Sequence, residues 1–157
     1  MKKYADYALK KTQELLSIDS PTGYTFLATD FVKKEFKKLG FKVKDTNKGG
    51  VLIDFGGKDN NDGLFLEAHT DTLGGMVAEV KGDGRLRITN LGGMNANNAE
   101  SENVRVYTRD KKVYEGTLQL INASIHVNGE YSDTKRSFDS CEVVLDEDVK
   151  SKEDTKK

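Results

Sequence analysis

Leu64-Phe65-Leu66-Glu67-Ala68-His69-Thr70-Asp71-Thr72-Leu73-Gly74-Gly75 divides this chain into two kinds of sequence. The apolar run Leu64–Leu66 predicts a short buried strand. His69-Thr70-Asp71 follows at its carboxyl end. In a strand, residues i and i+2 point to one side, so His69 and Asp71 are expected to project together. The carboxyl ends of strands are where open α/β sheets bind ligands. A neutral imidazole suits Zn²⁺ or Co²⁺, and a carboxylate two residues on can hold the ring in place. The alternative is a surface histidine followed by an aspartate that caps a turn. Glu67 shares the expected face with His69, either as a ligand or hydrogen-bond partner or as a residue at the rim of the sheet.

Upstream of this stretch the sequence predicts two helices and two short strands. Residues 4–18 place Tyr4, Ala8, Leu15 and Leu16 on one helical face. Asp19-Ser20-Pro21-Thr22-Gly23 breaks that period. Residues 25–39 carry a second stripe of Ala28, Phe31, Val32, Phe36 and Leu39, and Gly40 is placed to terminate it. Phe41–Lys44 alternates as an edge strand does, and Val51–Phe55 is a more apolar strand. Gly49-Gly50, Gly56-Gly57 and Asp59–Gly63 are turns.

Downstream the helical period disappears. Strands are expected at Met76–Val80, Arg85–Leu91, Asn103–Thr108, Val113–Ile121 and Glu142–Leu145. Gly82-Asp83-Gly84 and Arg109–Lys112 are expected as hairpin turns, and Gly92–Glu102 as a loop. This predicts a small antiparallel β-barrel or sandwich. From Asp146 to Lys157 nine residues are charged, the pattern of a solvated tail.

The 157 residues are 36 % hydrophobic and 32 % charged, with a net charge of −1, which permits one domain or one small domain with part of another. The basic residues are dispersed and lack aromatic interleaving, so no nucleic-acid surface is expected. No run approaches the roughly 20 apolar residues of a membrane span, and no membrane partner is expected. The charged start has no apolar signal core, and a cytoplasmic location is the expectation. Cys141 is the single cysteine, so no internal disulfide forms. Two histidines and one cysteine cannot build a four-cysteine or two-cysteine, two-histidine zinc site. His126 is expected to be structural or exposed. Cys141 is expected to pack, since no His-Asn or His-Asp relay accompanies it. The glycine pairs lack the spacing and the following helix of a phosphate-binding loop.

Several stretches occur in order: Ser20-Pro21-Thr22-Gly23-Tyr24, Ala68–Gly74, Glu102–Asp110, Tyr114-Glu115-Gly116-Thr117, Ser124-Ile125-His126-Val127 and Val143–Glu147. Together they closely resemble the glutamyl-aminopeptidase family of two-metal exopeptidases, also called tetrahedral aminopeptidases. The resemblance runs from about residue 4 to residue 155. It implies an α+β chain. Residues 1–72 would form the amino-terminal part of an α/β peptidase domain, a partial sheet with two helices. Residues 73–145 would form an inserted, antiparallel, β-barrel-like lid and dimerisation domain. Residues 146–157 would lead back to the peptidase domain instead of forming a free tail.

The resemblance also implies chemistry. Family members remove amino-terminal residues from peptides with two divalent ions, zinc or cobalt, that activate a bridging water, and a Glu serves as general base. By motif position His69 corresponds to a metal ligand and Asp71 to the aspartate that supports it. The family's bridging aspartate, Glu-Glu pair, further aspartate and last histidine have no counterpart in this sequence. The expectation is therefore a truncated form, inactive as an isolated chain and at most a weak metal binder. The alternatives are an oligomerisation or binding module, self-associating through the lid, and half of a split enzyme completed by a second chain.

Overall fold

A computed structural model describes residues 1–59 and 61–156. Asn60, within the expected Asp59–Gly63 turn, and Lys157, at the end of the charged segment, lie outside the described residues. The chain is α+β and forms two compact units, the first ending at Leu73 and the second starting at Gly74. No helix among the described residues is long and apolar enough to cross a membrane.

The first unit holds α1 (Lys2–Leu16), α2 (Phe26–Lys38), β1 (Lys42–Asp45) and β2 (Val51–Asp54). α2 ends as its sequence predicts. Gly40 takes φ +88°, its N–H donates to the Lys37 carbonyl at 3.0 Å, and the Phe41 N–H donates to the Phe36 carbonyl at 3.1 Å. Those two bonds satisfy carbonyls that would otherwise end the helix unpaired. Phe36, Phe41 and Phe55 then close over one another, with ring centroids 5.0–6.2 Å apart, tying α2 to the antiparallel β1–β2 hairpin.

α1 forms where a helix is expected, but Tyr4 and Leu16 of its apolar stripe are 74 % and 71 % exposed, and no residue of α1 is buried. α1 meets α2 instead through Lys11, whose ammonium lies 2.7 Å from Glu35 and 5.7 Å from the Phe31 ring centroid. Leu64–Leu66 forms no strand, and these side chains are exposed. A strand needs a neighbour to pair its backbone. Among the described residues β2 pairs only with β1, and nothing pairs with Leu64–Leu66.

The second unit holds β3 (Gly74–Val80), β4 (Leu86–Leu91), α3 (Ala96–Ala99), β5 (Asn103–Tyr107), β6 (Val113–Leu120), β7 (Cys141–Leu145) and α4 (Lys152–Thr155). The strands form one antiparallel sheet in the order β3-β4-β7-β6-β5. Both expected hairpin turns join neighbouring strands. β6 shows why the alternating pattern folds this way: Gly116, Leu118 and Leu120 are buried, while Thr117 and Gln119 are less so. With Leu86, Ile88, Cys141 and Val143, the two leucines make the core. The expected loop Gly92–Glu102 contains the single turn α3, capped by the Asn95 side chain, which accepts from the Asn97 N–H at 2.9 Å.

The charged segment after Leu145 folds back within the second unit. Ser151 caps α4, the Thr155 hydroxyl donates to the Gly84 carbonyl at 2.7 Å, and the Lys152 N–H donates to the Gly82 carbonyl at 3.2 Å. Asp146, Glu147 and Asp148 at its start are exposed, while the backbone further on docks on the β3–β4 turn.

Candidate functional site

His69, Thr70 and Asp71 lie in irregular chain, not at the end of a strand as the sequence predicts. What fixes them is a single parallel bridge between Pro21 and Thr72. The Thr72 N–H donates to the Ser20 carbonyl at 2.7 Å, and the Thr22 N–H donates to the Thr72 carbonyl at 3.3 Å. Pro21–Tyr24 is a tight turn closed by the Tyr24 N–H on the Pro21 carbonyl at 2.8 Å. Gly23, third in that turn, has φ +88°, a conformation that favours glycine. The break between the two helices is thus the support beneath the His-x-Asp segment.

The side chains then form a short relay. The Thr22 hydroxyl donates to Asp71 Oδ2 at 2.7 Å. His69 Nδ1 lies 3.0 Å from Asp71 Oδ1 and 3.1 Å from the Asp71 carbonyl oxygen. Both of these oxygens only accept, so Nδ1 carries the proton. The neutral ring then keeps its lone pair on Nε2, the nitrogen a metal would use. The histidine side chain is 85 % exposed and Asp71 39 %, so the ring is held from one edge and open on the other. Thr22 first, and the His69 ring after it, hold the Asp71 carboxyl below its ordinary range.

The other candidates do not join this pair. Glu67 is exposed, and no hydrogen bond links it to His69 or Asp71. His126 is exposed in the connection between β6 and β7. Cys141 lies wholly within the core of the second unit, and burial pushes its thiol pKa up, against a nucleophilic role. Among the described residues no group of three or more His, Cys, Asp or Glu side chains is arranged to hold a metal ion. Thr22 carried no assigned role in the sequence, although its Ser-Pro-Thr-Gly-Tyr stretch is among those that carry the resemblance. Its partner is 49 positions away, so no local pattern exposes the link. Beside it, Ser20 is 1 % exposed and its hydroxyl oxygen has no hydrogen-bond partner among the described residues.

A sequence profile of the M42 glutamyl aminopeptidases matches residues 49–157. The chain belongs to this family. The YhfE protein of Bacillus subtilis (strain 168), an aminopeptidase by assignment, is 36 % identical over 143 residues, covering 91 % of this chain and 41 % of that protein. The aminopeptidase APDkam598 of the archaeon Desulfurococcus kamchatkensis superposes with a TM-score of 0.81 at 23 % identity, over 98 % of this chain and 40 % of that one. The TET1 peptidase of Pyrococcus horikoshii, which can assemble into a tetrahedron or a large octahedral shell, superposes with a TM-score of 0.72 at 20 % identity, over 94 % of this chain and 42 % of that one. The two structures share the fold. The chain spans about two fifths of the length of each of these three proteins, 40–42 %.

Proposed function

We propose that this chain contributes one metal ligand, His69, with Asp71 as its support, to a metal-dependent aminopeptidase that removes amino-terminal residues from peptides. The observation that carries this is the His69–Asp71 pair, which fixes the proton on Nδ1 and leaves Nε2 open to a metal. Family membership supports the reaction class. The donor set fits one ligand position: a neutral imidazole braced by a carboxylate suits zinc or cobalt. It does not fit a two-ion centre, because no further ligand converges on His69 among the described residues. Hydrolysis therefore requires ligands from outside these 157 residues, on the same polypeptide or on a second chain, and the isolated chain is inactive. When bound, such ions polarise the scissile carbonyl and lower the pKa of a water. What this chain itself does is orient one imidazole. A cytoplasmic site of action is part of the same proposal.

The test is a Co²⁺ titration of the 157-residue chain followed by NMR, with a leucine chromogenic amide present in a parallel assay. Co²⁺ should broaden the His69 ring resonances well before those of His126, and no turnover should appear. Equal broadening of both rings would remove His69 as the ligand. Turnover by the pure chain that disappears in H69A would overturn the inactivity.

A second role, self-association through the second unit, is favoured by one observation. The edge strand β3 leaves Met76 and Val77 56 % and 42 % exposed, apolar surface a second copy could cover. The assembly of the Pyrococcus horikoshii peptidase supports it. A monomer by light scattering at high concentration would exclude it.

A further inference from the structure

We infer that Thr22 is a positioning residue for His69, acting through Asp71 to select the imidazole tautomer; this rests on the assignment of His69 as a ligand. The exposed ring of His69 has little else to hold it among the described residues, where its hydrogen-bonded nitrogen meets the side chain and carbonyl of Asp71. An unrestrained neutral imidazole in water prefers its proton on Nε2, the tautomer that cannot bind a metal through that atom. The Nδ1–H form is favoured only while a carboxylate oxygen stays aligned with Nδ1. Asp71 can rotate about its terminal bond, and an aspartate pinned through one oxygen samples other orientations. Thr22 pins the second oxygen at 2.7 Å. The two carboxylate oxygens are thus divided, Oδ2 to Thr22 and Oδ1 to His69.

Thr22 is itself well placed to act as a fixed point. Its N–H is held by the Thr72 carbonyl, its neighbour Pro21 forms the bridge to Thr72, and the turn it occupies is closed by Tyr24 and shaped by Gly23. These constraints come from backbone atoms and survive replacement of the side chain. Removing the hydroxyl alone therefore isolates its effect on Asp71. Valine keeps the shape of threonine and lacks the donor; serine keeps the donor and lacks the methyl group.

The experiment uses the whole chain without metal. Its two histidines make the imidazole region of a long-range ¹H–¹⁵N correlation spectrum readable, and exposed His126 serves as the internal reference. At about pH 8.5, where ordinary imidazoles are neutral, wild-type His69 is expected mainly as the Nδ1–H tautomer and His126 mainly as Nε2–H. In T22V the Nδ1–H share of His69 should fall by at least about half, and T22S should restore it. T22A repeats the measurement should T22V not fold. An unchanged His69 tautomer in a folded T22V or T22A chain would overturn the role of Thr22 while leaving the His69–Asp71 pair intact. A wild-type His69 already in the Nε2–H form would instead defeat the pair itself, and with it the ligand assignment.

Discussion

Arg85 and Glu142 lie 57 positions apart in sequence, and the Arg85 Nη1 donates to Glu142 Oε1 at 2.5 Å. Glu142 has no exposed side-chain area, and its other oxygen accepts from the Lys81 ammonium at 2.5 Å. The Lys81 and Arg85 side chains remain partly exposed, while the Glu142 side chain is fully withdrawn from water. Breaking a buried pair by removing one partner is costly because the rest is left without compensation. Glu142→Gln should therefore lower the stability of the second unit by about 3 kcal/mol. Lys81→Met should cost clearly less, because Arg85 still meets the carboxylate. Urea unfolding of the three chains measures this, and equal midpoints would contradict it.

Glu35 links the two helices of the first unit, receiving Lys11 at 2.7 Å and Lys38 at 2.6 Å. Lys11 chiefly, with Lys38, holds its carboxyl down from an ordinary 4.5 to about 2. A carboxylate depressed by folding contributes stability that is fully present above its unfolded pKa and is lost as pH falls through the folded one. The helix pair should thus weaken between about pH 4.5 and about pH 2. Glu35→Gln should lack that part of the acid sensitivity. Thermal melts followed by far-ultraviolet circular dichroism, at about pH 6 and about pH 2, compare the two. A drop in melting temperature as large in the variant as in the wild type would argue against the bridge.

Gly116 on β6 faces β7 at a distance no side chain tolerates. A Cβ placed there would sit 2.4 Å from the Val144 carbonyl oxygen and 3.1 Å from the Leu145 Cα, both backbone atoms. At Gly75 the closest atom is the end of a flexible side chain, Ile88 Cδ1 at 2.9 Å. Strands must separate to admit a methyl group at Gly116, whereas Ile88 can turn aside. Gly116→Ala should cost about 3 kcal/mol and Gly75→Ala about 1 kcal/mol or less. Chemical denaturation ranks them, and the reverse order would show that β6 and β7 can move apart cheaply.

These cases show what the sequence makes legible. The end of α2 and the strands of the second unit follow from local chemistry: a glycine where φ must be positive, and apolar side chains at alternate positions. Leu64–Leu66 misleads because an apolar run looks the same whether or not a neighbouring strand exists to pair with it. The burial of Glu142 is invisible for a related reason, since its two cations arrive from 57 and 61 positions away. His69-Thr70-Asp71 is readable as a pair of polar groups that could cooperate, although the geometry differs from the one expected. The pair meets in irregular chain, and the contact includes the backbone carbonyl of Asp71. Its anchor, Thr22, belongs to tertiary structure alone.

Cys141 offers a direct probe of how the second unit holds together. It is the single cysteine, it has no exposed area, and burial pushes its thiol above the ordinary range. Two barriers therefore oppose alkylation: the reagent cannot reach the sulfur, and the reactive thiolate is disfavoured. Both vanish together when β7 leaves its place between β4 and β6. Labelling by iodoacetamide should then be slower in the native chain than in urea by a factor on the order of 10³, the scale of a marginally stable fold. Leu118, 1 % exposed in the same core, sets a second test. Leu118→Ala should cost about 3 kcal/mol through the lost contacts and the cavity left behind. If labelling tracks opening of the unit, that loss raises the rate by roughly a hundredfold, since each 1.4 kcal/mol is a factor of ten. A native rate equal to the denatured one would mean the sulfur is reachable. A slow rate unmoved by Leu118→Ala would mean that Cys141 is exposed by local fraying of β7 and not by opening of the core.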